Sequence, residues 1–227
     1  MTSEPTVVSE REQKILGIIE TARAKRAKFR DARINMAHGA GGKATQGLIE
    51  GLLAPAFQSA TLDELADAGA LEVGGVELAL TTDSYVVKPM RFPGGSIGEL
   101  AVNGTVNDLA VSGARPLALS LSLILEEGLA AEDLKAEVDA IAQAARAAGV
   151  EIITGDTKVV ERGHADGMYV CTTGIGLRDP RAQLSPAALR PGDRILLSGS
   201  IGEHGTAIML ARGEFDLDAE IESDTRS

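Results

Sequence analysis

Cysteine is almost missing: Cys171 is the only one in 227 residues. A disulfide within the chain is therefore impossible, and so is a zinc site built on cysteines. A reducing cytoplasm is the natural setting. Tryptophan is absent and aromatic residues make up only 3% of the chain. Positive charge is also short, with 22 Lys and Arg against 33 Asp and Glu and a formal net charge of −11. A nucleic-acid binder needs a basic surface to release counterions from phosphates, so no nucleic-acid partner is expected. No run is long and apolar enough to span a membrane, and the opening MTSEPTVVSEREQK carries no apolar signal core.

Glycine and aliphatic residues are what the chain does have. It holds 26 Gly and is 44% hydrophobic, enough to bury a core. Rich glycine with few aromatics fits an α/β protein with tight turns and backbone-lined loops. Residues 1–32 read as an N-terminal helical extension, in which Ser9 caps a helix running to about Arg30. Residues 33–180 read as the main domain. Its expected strands are Ile34–Ala37, Val76–Thr82 ending at Asp83, Pro116–Leu125, Glu151–Thr154 ending at Gly155-Asp156, and Gly167–Leu177. Its expected helices are Thr45–Phe57, a stretch from a Ser96-Ile-Gly-Glu99 capping box to Ser112, and Glu132–Ala148. Several strands alternate apolar with polar residues, which predicts a mixed α+β sheet with one covered face and one special face. After a linker, residues 191–227 read as the incomplete start of a second α/β domain, with a strand over Asp193–Ser198 and a helix from Gly205.

Four stretches can carry chemistry. His38-Gly39-Ala-Gly41-Gly42-Lys43 is a glycine loop whose amides can approach phosphate oxygens, with Lys43 adding a charge. It is not a Walker A loop, since Ala stands at 37 and 44, and a plain structural turn explains it equally well. Asp83 at a strand end sits where ligands bind or where turns form. Asn103-Gly-Thr-Val-Asn107-Asp108 crowds poor helix formers into one helix, and that loss of stability suggests a role. Gly155-Asp156-Thr157-Lys158 repeats the Asp83 logic. Asp83, Asp108 and Asp156 together offer oxygen ligands for Mg2+ bridging phosphates. His204, in the SGSIGEHG turn, is either a proton carrier or a residue that packs the turn. Cys171 reads as a buried, inert thiol.

The strings AHGAGGK, TTDSYVVKP, GELAVNGTVNDLAVSGARP, GDTKVV and GDRILLSGSIGEHG, in that order, resemble the HypE carbamoyl dehydratases of [NiFe]-hydrogenase maturation. These share the aminoimidazole-ribonucleotide-synthetase-like ATP-binding fold with selenophosphate synthetase and thiamine-monophosphate kinase. The resemblance runs from about Ile34 to Thr225 and implies a homodimer with ATP held near the paired first domains. It implies that Asp83, Asp108 and Asp156 bind Mg2+. Gly39, Gly41, Gly42, Lys43, Asn107 and Thr157 would hold nucleotide, and Lys158 and His204 would serve the reacting group. The implied reaction is ATP-dependent dehydration of a carbamoylated C-terminal cysteine to a thiocyanate, with a carbamoyltransferase and an iron-scaffold complex as partners. This sequence departs from the family at its end, with no terminal Cys, which reads as a truncated product or fragment. Two further readings stay open: a catalytically silent module that binds the family's partners, and a small-molecule kinase or synthetase of the same fold.

Overall fold

A computed structural model describes residues 29–182, 184, 185, 188–197, 199–213 and 220–226. The expected N-terminal helix lies almost wholly outside them. The chain forms two compact units, Met1–Leu65 and Ala66–Ser227.

In the first unit the expected strand at Ile34–Ala37 is instead a 3-10 turn, Met36–Gly39. Local side chains explain the difference. Asn35 Oδ1 accepts from the Ala37 amide at 3.0 Å and His38 Nδ1 accepts from the Asn35 amide at 3.1 Å, so backbone groups that a strand would pair elsewhere are satisfied in place. A continuous helical stretch follows: α1 (Lys43–Leu48), a π-helical turn over Ile49–Leu53, and α2 (Ala54–Phe57). Pro55 has no amide to donate, and the helix widens in the turn before it.

The second unit is built on β1 (Gly69–Val73), β2 (Val76–Tyr85), β5 (Ala114–Glu126), β6 (Glu151–Val160) and β7 (Met168–Arg178). They form one mixed sheet in the order β1-β2-β7-β5-β6, antiparallel except for the β5–β6 pair. A two-stranded ribbon, β3 (Arg91–Phe92) with β4 (Gly95–Ser96), leads into α3 (Ile97–Val111). α4 (Ala131–Ala148) joins β5 to β6, and α5 (Glu203–Ala211) follows the sheet. β2 and β6 both run further than their apolar residues suggest. The neighbouring strand supplies amide partners whatever the side chain, so Asp83 and Asp156 lie within strands and not at their ends. The strand expected at Asp193–Ser198 is not formed over residues 193–197: no described strand flanks it, and Ile195 and Leu196 are 97% and 91% exposed.

Helices cover one sheet face. β7 alternates strictly, with Met168, Val170, Thr172, Gly174 and Gly176 buried and the residues between them half-exposed. α3 lies on β2, β7 and β5, and α4 packs beside α3. Ile97, Ala101, Tyr85, Phe92, Leu123, Met168, Val170 and Ile208 form one core cluster, and Val102, Val106, Leu119, Ile141 and Val150 belong to a second. The start of α3 is fixed by Ser96, which accepts from the Glu99 amide, and by the fully buried Glu137. That carboxylate takes the Gly98 amide at 3.0 Å and Arg91 Nε at 2.9 Å.

α3 can sit this close because β7 has glycine beneath it. A Cβ at Gly174 would lie 2.7 Å from Thr105 Cγ2 and 2.9 Å from Leu109 Cδ1, both on fully buried side chains. Gly174→Ala is expected to cost about 1–3 kcal/mol through overpacking, read as a lowered midpoint of thermal unfolding. An unchanged midpoint would show that α3 can lift off β7 freely.

Candidate functional site

The close seat of α3 brings two carboxylates together. Ala79, Thr81, Asp83 and Tyr85 alternate along β2 toward the helix-covered face. Asp108, in the last turns of α3, meets them there. Asp83 comes close enough there for its charge to act on Asp108. Thr81 Oγ1 lies 3.1 Å from Asp108 Oδ2 and 2.8 Å from the carbonyl of Asp67, and its single proton can go to either. Partial burial, and then the charge of Asp83, pushes Asp108 up to about 6, and Asp67 adds to the repulsion. Tyr85 donates its hydroxyl to Asp83 Oδ2 at 2.9 Å, and burial raises the phenol above its ordinary range. Asn107, one residue before Asp108, donates from Nδ2 to the Arg226 carbonyl at 2.7 Å.

The other expected site residues fall elsewhere. Asp156 and Lys158 point to the opposite sheet face from Asp83, because register decides parity. Asp83 stands opposite Thr172, Leu121 and Gly155, whereas Asp156 stands opposite Ser122, Cys171 and Ser84. Asp156 is exposed and pairs with Lys158 Nζ at 2.6 Å, and the Thr157 amide donates to its Oδ1 at 2.8 Å. Those bonds, the lysine's first, hold the Asp156 carboxyl below its usual value. Among the described residues no three His, Cys, Asp or Glu side chains converge on one ion. One chain thus joins two of the three expected acids and keeps the third apart.

The glycine loop belongs to the first unit. Gly39, Gly41, Gly42 and Lys43 are exposed, Gly41 has φ of +73°, and its amide donates to Thr45 Oγ1. His38 is buried, bonded to Asp31 at 2.9 Å and edge-on to Phe29. His204 lies in the first turn of α5, its Nδ1 2.9 Å from Ser223 Oγ, its amide on Asp224, and its ring edge-on to Phe92. Burial lowers its pKa, and each of these contacts packs the turn. Cys171 is half-buried on β7, 3.8 Å from Thr82 Oγ1. Thr81, Tyr85 and Asp67 were not singled out from the sequence. Thr81 and Tyr85 share the parity of Asp83, which is the signal that points to them. Asp67 precedes β1 and has no such signal.

The carboxylate pair has a measurable cost. Native Asp108 binds its proton more tightly than an unfolded Asp, so the folded state holds extra proton between about pH 4 and 6 and loses stability as pH rises through that window. Asp108→Asn is therefore expected to melt roughly 2–4 °C above the parent at pH 7. That corresponds to about 1 kcal/mol after allowance for solvent screening, and the difference should close toward pH 4. Identical melting at pH 7 would argue that neither burial nor the Asp83 charge penalises the ionised Asp108.

The sheet and its helices match a known pattern. Residues 65–178 match the model of the AIR synthase related protein, N-terminal domain. The chain is 50% identical over 195 residues to the carbamoyl dehydratase HypE of Rhizobium leguminosarum bv. viciae, covering 86% of this chain and 56% of that one. Two solved structures are similar. HypE in a HypE–HypF complex has a TM-score of 0.72 at 48% identity, over 78% of this chain and 57% of that one. HypE in complex with ATP has a TM-score of 0.64 at 47% identity, over 86% and 58%. The chain thus spans between half and two thirds of the length of each of these relatives. No described helix is long and apolar enough to cross a membrane. The chain belongs to the AIR synthase related family, and within it is a relative of the HypE carbamoyl dehydratases.

Proposed function

We propose that these residues form the Mg·ATP-binding half of a carbamoyl dehydratase serving [NiFe]-hydrogenase maturation. The observation that carries the reading is the Asp83–Asp108 pair, two partly buried hard oxygen donors that Tyr85 and Thr81 hold on one sheet face. Such a pair is unfavourable by itself and is relieved by a divalent cation. Its donor chemistry fits Mg2+, with Asp83 and Asp108 as the residues that would hold it. Bound there, Mg2+ supplies charge neutralisation to the phosphates of ATP. The similarity to a HypE solved with ATP supports the nucleotide.

In the proposed reaction the γ-phosphoryl group of ATP passes to the oxygen of a thiocarbamate. Loss of phosphate with that oxygen, and of the nitrogen's two protons, leaves a thiocyanate. An amide oxygen is a poor leaving group until it is phosphorylated. Cys171, the only cysteine here, sits in mid-sheet on β7, so the carbamoylated thiol is not among these 227 residues. The task of this chain is to hold nucleotide: Asn107 through its amide, and Gly39, Gly41, Gly42 and Lys43 through backbone donors and a cation. A HypE was solved in complex with HypF. By extension the partners of this chain are a carbamoyltransferase and, after it, an iron-scaffold complex.

We assign Asp156, Thr157 and Lys158 to the same site from a second copy. Within one chain they face away from Asp83. β6, which carries them, lies at the sheet edge with nine of its ten residues exposed, and such a strand is a template for pairing. His204 stays with the packing of its turn.

Calorimetry with ATP, with and without Mg2+, tests the binding site. Mg2+-dependent binding lost in Asp108→Asn is the expected result, and native binding indifferent to Mg2+ would refute it. Mixed dimers test the second-copy assignment. Asp108→Asn and Asp156→Asn, each silent alone, should regain about one quarter of the sites when randomly mixed; no recovery would confine the site to one chain.

A further inference from the structure

Tyr85 has no part in the site as read from the sequence. It ends β2, two positions beyond Asp83 and so on the same face. Tyr85 is 9% exposed and packs in the cluster with Val87, Phe92, Ile97 and Ala101. A ring that served packing alone would need no hydroxyl, and a buried hydroxyl is costly unless it is bonded. Here the hydroxyl donates to Asp83 Oδ2 at 2.9 Å, and its oxygen lies 3.1 Å from Thr105 Oγ1. Thr105 Oγ1 is in turn 2.5 Å from Thr172 Oγ1, which donates to the Ala101 carbonyl at 2.9 Å. With the Tyr85 proton on Asp83, Thr105 of α3 donates to the phenol oxygen, and so Tyr85 ties Asp83 to that helix.

α3 gives up a side chain to admit the phenol. A Cβ at Gly104 would fall on Tyr85 Oη and lie 3.1 Å from Cε1 and Cζ. Glycine within a helix costs about 1 kcal/mol relative to alanine, so an unfavourable residue stands where the Tyr85 hydroxyl passes. That answers why a poor helix former sits in the middle of the stretch that ends in Asp108.

We infer that Tyr85 is a positioning residue of the metal–nucleotide site: its hydroxyl, passing beneath α3 at Gly104, holds the Asp83 carboxylate in place beside Asp108. This rests on the Mg·ATP reading above. A carboxylate fixed by a donor on one oxygen presents the other to a ligand without first losing rotational freedom.

Tyr85→Phe keeps the ring and removes only the hydroxyl. In calorimetry of ATP binding against Mg2+ concentration, the Mg2+ needed for half-saturation is expected to rise about five- to tenfold, with the shift falling on the Mg2+ requirement and not on metal-free affinity. A second variant keeps the geometry testable on its own. Gly104→Ala should lower the unfolding midpoint in the Tyr85 protein and do so much less in a Tyr85→Phe background, because the atom it strikes is gone. Native Mg2+-dependent binding with an unaltered Mg2+ requirement in Tyr85→Phe overturns the role of Tyr85 alone. An equal penalty for Gly104→Ala in both backgrounds overturns the packing that underlies it. Native protein without Mg2+-dependent binding overturns the proposed function, and this inference with it.

Discussion

The approach of α3 to the sheet governs the second unit. With no side chain at Gly174, Thr105 and Leu109 settle onto β7, and the same approach carries Asp108 onto Asp83. Two effects oppose each other here. Each buried Ile97, Val102 or Leu109 stabilises by roughly 1.5–3 kcal/mol, and all three are fully buried on this helix. The cost of the ionised Asp108, from burial first and the Asp83 charge second, is on the order of 1 kcal/mol after screening. Packing wins by several-fold, so the fold can carry a like-charge pair that would fly apart on a looser scaffold. Glu137 adds to the seat at the far end by accepting the Gly98 amide, and so fixes α3 along its axis as well as in height.

The sheet divides the chemistry between its two faces. On the helix side stand Thr81, Asp83, Tyr85 and Thr172, joined to Thr105 and Asp108 by hydrogen bonds. On the other side stand Ser84, Cys171, Ser122 and Asp156 in successive register, with Lys158 two positions along β6. A strand cannot turn a side chain through to the other face without a bulge, and β6 has its only irregularity before Asp156, between the partners of Leu119 and Ser120. That parity is the physical reason for assigning Asp156 and Lys158 to a second copy. It also keeps the exposed Asp156–Lys158 pair out of the field of Asp108, so the two acids respond in opposite ways: Asp156 is held low by its lysine and Asp108 is held high by burial and by Asp83.

Much of this is legible in the residues. The alternation of β7 and β2, the Ser96 cap and the cluster of poor helix formers in α3 all follow from local rules, because period, capping and propensity are properties of neighbouring residues. The glycine loop was legible as a motif, but the strand before it was not a strand, since Asn35 and His38 satisfy its amides locally. At Asp193 the apolar run has the composition of a strand and no neighbour to pair with among the described residues. The aspartates of interest were found by type, yet placed at strand ends when the ladders carry them inside.

The order of residues specifies the class of the protein: a mixed sheet with a covered face, acids suited to a metal–phosphate site, and a family pattern that runs through most of the chain. It could do so because those features depend on spacing within a dozen residues. Which acids meet is set by the folded chain. Asp83 and Asp108 are 25 positions apart in number and Asp156 a further 48, and nothing in the spacing says that the first two share a face and the third does not. That depends on strand register and on how closely one helix can approach a glycine in a neighbouring strand. The same closeness gives Tyr85 its hydroxyl partner and explains Gly104, a residue whose purpose lies in an atom it would otherwise strike.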